Sequence, residues 1–368
     1  MTVLGTRALG RAALARQFLL DRADVPVLDA VARLGGLQAQ EPQEPYTGLW
    51  SRLAAFDPEV LSALLTERRV VRTHLMRRTV HLVTAQDALA WRSRHDAMLR
   101  QRMLGVYRRS LGDTDLDALA AAGAAVLSDE PRTLPEVGRL LVDRWPDLAP
   151  REIGDVLTSL VPLVQVPPRG VWGRTAPARC LLLETWLGTP VDPPPVDPLP
   201  DGGDPVGEAL VLRHLAAFGP AATADVRAWS GVAGLPAAVD AVRDRLVAFR
   251  DERGRELLDL PDAPRPGEDT PAPVRFLPAF DNLVLGYDDR SRFIDDAHRG
   301  LSVAGARFVL VDGRVAGTWT VADGTVAATP LRRFSRADRT AVGEEGRALA
   351  GFLSGGASHR VTIAASPR

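Results

Sequence analysis

Two glutamines two residues apart, Gln38 and Gln40, stand in the run Leu34-Gly35-Gly36-Leu37-Gln38-Ala39-Gln40. On an extended backbone residues i and i+2 share one side, whereas on a helix they diverge by about 200°. The Gly35-Gly36 pair just before them favours the extended or loop reading. Two primary amides then point together and offer carbonyl acceptors and N–H donors at one place, a set able to hold a water. Two loop glutamines that are merely solvated make the same pattern.

About thirty residues later the chain turns strongly basic. Arg68 to Arg109 holds eleven arginines against Asp87 and Asp96 only, a local charge of +9 on a chain whose net charge is -1. A basic face on a near-neutral protein is the electrostatic footprint of a nucleic-acid binder. The competing reading is an arginine-rich helix whose stems cover apolar surface and whose heads pair with acids elsewhere.

Composition narrows the chemistry. All 45 cations are arginine and lysine is absent, which together with heavy use of Ala, Gly, Pro and Val suggests a high-GC bacterial genome. Without lysine there is no P-loop Lys, so P-loop ATPase and GTPase chemistry is excluded. Side-chain Schiff bases are excluded too, and with them pyridoxal enzymes and lysine-based lyases. The single Cys180 lies in the apolar run Arg179-Cys180-Leu181-Leu182-Leu183, reads as a packing residue, and cannot form a disulfide, a zinc ribbon or an iron–sulfur cluster. No cofactor and no metal are expected. With no signal-type apolar segment and no window of eighteen apolar residues, the chain reads as a cytoplasmic, nucleoid-associated protein with no membrane partner. Nothing in it suggests an interface, so a monomer is expected.

The elements that must position these residues repeat a layout. Residues 7–20 and 25–34 read as helices, a third lies near 47–55, and Asp57-Pro58-Glu59 is an N-cap with Pro at the first position of a helix through Thr66. Val70–Val83 reads as strand, turn, strand. Helix, helix, ribbon is winged-helix grammar. It recurs from Thr133, where Thr133 and Glu136 have capping-box spacing, through a helix at 150–161 and a ribbon at 163–174 whose tip is Pro168-Arg169-Gly170. It recurs again with a helix at 206–217, Gly219-Pro220 and the run from Thr223 to Gly231, a helix at 235–246 and a ribbon at 246–260. Segments 190–205 and 261–273 are proline-rich and read as linkers. A hairpin at 307–321 follows, with Asp312-Gly313 suited to a type I′ turn, then a helix near 336–353 and a last strand from Arg360. The expected fold is mixed α/β (α+β): three tandem winged helices (1–110, 111–190, 206–262) around a basic concave cleft, with a β-rich C-terminal segment (274–368) carrying a hairpin.

Four runs in order, LGGLQAQEPQEPYTGLWSRL, LMRRTVHLV, FLPAFDNLVLGYDDRSRFI and VDGRVAGTWT, resemble the winged-helix DNA glycosylases of the AlkZ/YcaQ type over residues 10 to 360. The Gln-aliphatic-Gln run resembles the AlkZ-like branch; the YcaQ-like branch carries Asp at the second position. The resemblance implies a monofunctional glycosylase that hydrolyses the N-glycosidic bond of bulky N7-alkylpurines in double-stranded DNA. Members also unhook interstrand crosslinks, often as self-resistance to a DNA-alkylating natural product. An N7-alkylated purine is cationic, so it leaves neutral without prior protonation and no strong general acid is needed. On this reading Gln38 and Gln40 are catalytic and orient a water, while DNA phosphates and the amide oxygens stabilise the oxocarbenium-like charge.

The resemblance also places DNA contacts. Arg77, Arg78 and His81 in the ribbon, with Arg72 beside them, are expected at phosphates or in a groove; His81 also suits a packed ribbon position. Two hairpins, at Arg169 and at Asp312–Arg314, are alternatives for an element that probes the duplex, which adds Arg169 and Arg314 to the contact set. Asp288 is either a structural partner of Arg290 or Arg292 or a carboxylate for catalysis. Two other functions fit parts of the pattern. A non-catalytic winged-helix regulator would use a recognition helix and dimeric symmetry, and three such units with a glutamine pair argue against it. A drug-sequestering protein would need a large apolar pocket, which 5% aromatic residues disfavours.

Overall fold

The computed structural model describes residues 1–192 and 203–367, so most of the proline-rich segment at 190–205 lies outside the described residues. The chain is mixed α/β, with three sheets among the described residues.

Local signals set many boundaries. Asp57 accepts from the Glu59 N–H at 2.9 Å and opens the helix Pro58–Thr66. Thr133 and Glu136 close a reciprocal capping box on the helix Leu134–Leu141; each such cap stabilises a helix end by about 1 kcal/mol. The helix expected near 47–55 starts earlier, at Glu44–Trp50. Pro45 suits its first turn, and Glu44 is buried there, accepting from the Ala279 N–H at 2.6 Å and from Arg307 Nε at 2.9 Å.

The first two helix–helix–ribbon units merge. Strands Leu37–Gln38, Val80–Thr84, Val70–His74, Leu163–Gln165, Arg179–Leu182 and Arg132–Thr133 form one six-stranded antiparallel sheet in that order. Arg72 and Thr73 pair with Gln165 and Val164 across the seam. The ribbon expected at 163–174 is wider than its sequence suggests, because the return strand is Arg179–Leu182. Pro167 and Pro168 have no N–H to continue a ladder. The intervening loop instead packs on the first unit: Tyr46 Oη donates to the Gly170 carbonyl at 2.7 Å and Gln43 Nε2 to the Val171 carbonyl at 3.0 Å.

In the third unit, Val247–Asp251 and Glu256–Asp259 form the expected hairpin, and Val3–Leu4 adds to it in parallel. The C-terminal sheet runs Arg275–Leu277, Arg307–Val311, Arg314–Ala322, Thr325–Pro330, Arg360–Ile363, backed by the helix Arg336–Leu353. Asp312 (φ 52°) and Gly313 (φ 75°) are both left-handed, as a type I′ turn requires.

The largest core draws from every part of the chain: Val71 and Trp91, Val164 and Leu181, Phe218 and Trp229, Tyr287 and Phe308. Cys180 is buried, as its apolar run suggested. A shared core of this kind lets residues far apart in sequence be held to a fixed geometry.

Candidate active site

Gly35 (φ 67°) and Gly36 (φ 84°) end the helix Val27–Arg33 in two left-handed steps. A Cβ on Gly36 would lie 2.5 Å from Val83 Cγ1, so the close approach of this turn to its neighbour strand requires glycine. The chain then runs extended, with Leu37 opposite Leu82 and Gln38 opposite His81. Ala39 is buried and both its backbone groups are used: its N–H donates to the Val80 carbonyl at 2.7 Å, and its carbonyl accepts from Arg72 Nη2 at 2.9 Å. With Ala39 turned into the core, the glutamines stand on either side of it: Gln38 lines a small cavity with Gly36, Arg52, Asp281 and Asn282, among others, and Gln40 lies just beyond the strand.

Their surroundings differ. Gln38 is only 8% exposed, and its Oε1 accepts from Arg77 Nη2 at 2.9 Å. The same guanidinium donates to Asn282 Oδ1 at 2.8 Å and, through Nη1, to the Trp229 carbonyl at 3.0 Å. Asn282 in turn donates from Nδ2 to the Gly36 carbonyl at 3.2 Å. His81 Nδ1 lies 3.1 Å from the Thr79 carbonyl, which can only accept, so that nitrogen carries the proton. Its Nε2 is therefore a bare acceptor, 3.4 Å from Arg77 Nη2. Burial, reinforced by the Arg77 cation, pushes the His81 pKa well below its usual value and keeps the ring neutral. Burial also lowers Arg77, to about 10, which leaves it charged at neutral pH. Arg77 (φ 56°) and Arg78 (φ 62°) are consecutive left-handed non-glycine residues, a conformation costing roughly 1–2 kcal/mol each.

Behind Asn282, Asp281 forms a buried two-pronged ion pair with Arg52 (2.9 and 2.8 Å) and caps the short helix Asn282–Leu285 through the Leu283 N–H at 2.8 Å. Phe280, half-buried with φ 60°, lies next along the chain.

Gln40 is exposed, and its Oε1 accepts from the Val80 N–H at 3.3 Å. It faces an open cleft of about 270 Å³ lined by Arg78, His74, Met103, Tyr107 and Asp155, among others. Tyr107 Oη donates to Asp155 at 2.6 Å, and that bond raises the phenol pKa. Along one rim runs the helix Asp96–Leu111, whose Arg102, Arg108 and Arg109 are exposed.

The structure brings Gln38, Arg77 and His81 into one network and puts Gln40 and Arg78 on the adjoining cleft. Two expected DNA contacts, Arg72 and His81, are corrected. Arg72, 1% exposed, lies beneath the motif and supports Ala39, and burial lowers its pKa to about 10. His81 is fully buried and thus packed. Arg169 is half-buried with Nη1 on the Ala176 carbonyl at 2.9 Å. Arg314 is engaged by the Ser291 and Arg292 carbonyls (2.7 and 3.0 Å) and by Asp295, while Asp312 is held by Arg7 and Arg11, so this hairpin tip is tied to the rest of the chain. Asp288 makes no ion pair with Arg290 or Arg292; the paired acid is Asp289, with Arg253. Asp288 is exposed in a separate cleft with Arg253, Arg255 and Arg299, apart from the glutamines.

The basic run divides as well. Arg92 is buried against Asp96 and the Val161 carbonyl, Arg94 pairs with Asp204, and Arg68 lies over Trp186 at 4.4 Å. Only part of the run is left for phosphates. The residue that sequence reasoning missed is Asn282. Its signal was present, since it is the sole asparagine of the chain and lies inside the run FLPAFDNLVLGYDDRSRFI.

This geometry is accompanied by relatives. Over its length, 99% of the chain superimposes on 100% of the Streptomyces sahachiroi DNA glycosylase AlkZ structure with a TM-score of 0.81 at 24% identity, a likeness of fold. A curated protein of Streptomyces sahachiroi described as an interstrand DNA cross-link repair glycosylase is 28% identical over 363 residues, covering 90% of this chain and 91% of that protein. Residues 31–352 match the family described as DNA glycosylase AlkZ-like, which spans both glutamines, the Arg77 turn and Asn282. The chain belongs to the AlkZ-like DNA glycosylase family.

Proposed function

We propose that the protein hydrolyses the N-glycosidic bond of bulky N7-alkylpurines in duplex DNA, interstrand crosslinks included, and does so at Gln38 and Gln40 in repair or in self-resistance to an alkylating agent. The observation that carries this reading is one amide held by Arg77, which Asn282 accepts from in turn, near a second amide on an open cleft with an arginine rim. The cross-link repair description of the curated relative agrees with it.

The chemistry asks little of an acid. The C1′–N9 bond breaks with its electron pair moving onto a purine that alkylation has already made cationic, so the base departs neutral. Water adds to C1′ and its proton goes to solvent. Arg78, Arg102, Arg108 and Arg109 hold the flanking phosphates. An open cleft accommodates a bulky or crosslinked base that a closed pocket would reject. With no lysine in the chain, strand cleavage through a side-chain imine does not follow, and the product is an abasic site. The three helix–helix–ribbon units act as winged helices that seat the duplex, and the protein works as a monomer in the nucleoid. A regulator would need none of this amide positioning.

The test is single-turnover base release from duplexes carrying N7-methylguanine or a nitrogen-mustard crosslink. Gln38→Ala and Gln40→Ala are each expected to slow release on the order of 10²–10³-fold. Tight duplex binding by the wild type with no abasic product from either lesion overturns the reading.

A further inference from the structure

We propose that Asp155 is a further catalytic residue: its carboxylate faces the cleft onto which Gln40 opens and stabilises the positive charge that develops on the sugar as the base leaves. The inference rests on the proposed glycosylase reaction and supplies an anion, which an amide cannot be.

Asp155 stands on the helix Pro150–Leu160 of the second unit, and its place there is fixed. A Cβ on the neighbouring Gly154 would lie 2.7 Å from the Leu134 carbonyl oxygen, so this helix and the helix Leu134–Leu141 meet backbone to backbone. From the helix Asp96–Leu111, Tyr107 Oη donates to Asp155 Oδ2 at 2.6 Å. Oδ1 takes no hydrogen bond from the described residues, and the side chain is 37% exposed, so that oxygen is open to the cleft.

A negative charge is out of keeping with this surface. Among the residues lining the cleft, Asp155 is the sole carboxylate. Gln40, Gln165 and Thr158 are neutral, and burial, reinforced by the Arg92 cation, lowers His74 to about 4 and leaves it uncharged. Arg78 lines the same cleft but makes no ion pair with Asp155. The cation beside Asp155 is Arg151, 3.7 Å away and itself 87% exposed, a contact that water screens. Next to an arginine rim that holds phosphates, such a carboxylate repels DNA and weakens binding. Its contribution is therefore to the chemical step.

In that step C1′–N9 breaks and both electrons go to the purine. The positive charge, carried by the alkylated base before the bond breaks, moves to the sugar as an oxocarbenium-like centre. A fixed carboxylate on the sugar side attracts that centre more strongly as the bond lengthens, so it stabilises the transition state over the ground state. Asp155 forms no bond to C1′ and takes no proton; water adds to C1′ and its proton leaves to solvent. Tyr107 is the positioning residue, through its bond to Oδ2.

A purely structural pair would only pin the two helices together. Asparagine at 155 still accepts from Tyr107 and loses only the charge, whereas Tyr107→Phe removes the bond and keeps the charge. In single-turnover release of N7-methylguanine at saturating enzyme, Asp155→Asn is expected to be slower on the order of 10²-fold, with Tm unchanged and undamaged-duplex affinity equal to or tighter than that of the wild type. Tyr107→Phe is expected to lose less than about tenfold. Asp155→Glu, which restores the charge, should release faster than Asp155→Asn. Wild-type release by Asp155→Asn, equal rates for the asparagine and glutamate variants, or equal losses in Asp155→Asn and Tyr107→Phe would each overturn the role, while release by the wild type leaves the glycosylase reading intact. No release by the wild type would instead remove the glycosylase reading itself.

Discussion

Gln38 and Gln40 are two residues apart, the first ending a short strand and the second just beyond it, yet they belong to different environments. The inner amide is surrounded by groups from four separate parts of the chain, at Gly36, Arg77–His81, Trp229 and Asn282. The outer amide is held by one backbone N–H of the neighbouring strand and otherwise faces the cleft. Local hairpin pairing is therefore enough to place Gln40, whereas Gln38 depends on packing between the first unit, the third unit and the C-terminal segment. The inner site should be sensitive to distant changes that leave the outer one alone.

The most severe way to break this contrast is Asp281→Ala. It leaves Arg52 buried without its carboxylate and removes the cap on the helix bearing Asn282, so a loss of about 3–5 kcal/mol of stability is expected in denaturant unfolding. A change below about 1 kcal/mol would mean that this ion pair does not hold the inner shell.

Acid tests the buried histidines by titration. His81 and His95 are buried, and burial holds both pKa values down, His95 to about 4. Between the unfolded value near 6.5 and these folded values the unfolded chain binds protons that the native chain does not. Their contribution is complete above about pH 6.5 and is lost as pH falls, for His95 toward about 4. Tm should accordingly drop steadily from pH 7 to pH 5, and more gently in His95→Phe; a flat Tm across this range contradicts neutral burial.

The outer region gives the mildest change. Replacing Arg102, Arg108 and Arg109 together by alanine should weaken duplex binding and reduce the salt slope by about 0.9 for each phosphate no longer neutralised. Base release at saturating enzyme should be nearly unchanged, because the inner shell is untouched. An unchanged slope would remove this helix from the DNA face.

Much of the architecture was legible because its signals are local. Asp57-Pro58, the Thr133 and Glu136 box, and the Asp312-Gly313 turn each act within four residues, and each appears where its chemistry requires. The short strand Leu37–Gln38 follows the two glycines that end the preceding helix, while Gln40 falls in a bend beyond it. The fate of individual arginines was not legible. Arg72, Arg77 and Arg92 carry the same charge as Arg102 and Arg109, and burial is decided by partners more than thirty residues away for Arg72 and Arg77.

By itself the sequence determined the alternation of helices and ribbons, the short strand that starts after Gly35-Gly36, and the exclusion of lysine chemistry, since these depend on backbone preference and composition. Tertiary structure alone decided that two ribbons merge in one sheet, that the Asp312–Arg314 tip is tied down by Arg7, Arg11 and Asp295, and that Asn282 and Arg77 meet at Gln38. A hydrogen bond between residues 205 positions apart leaves no periodicity in the chain. It exists only because a common core brings both residues to the same place.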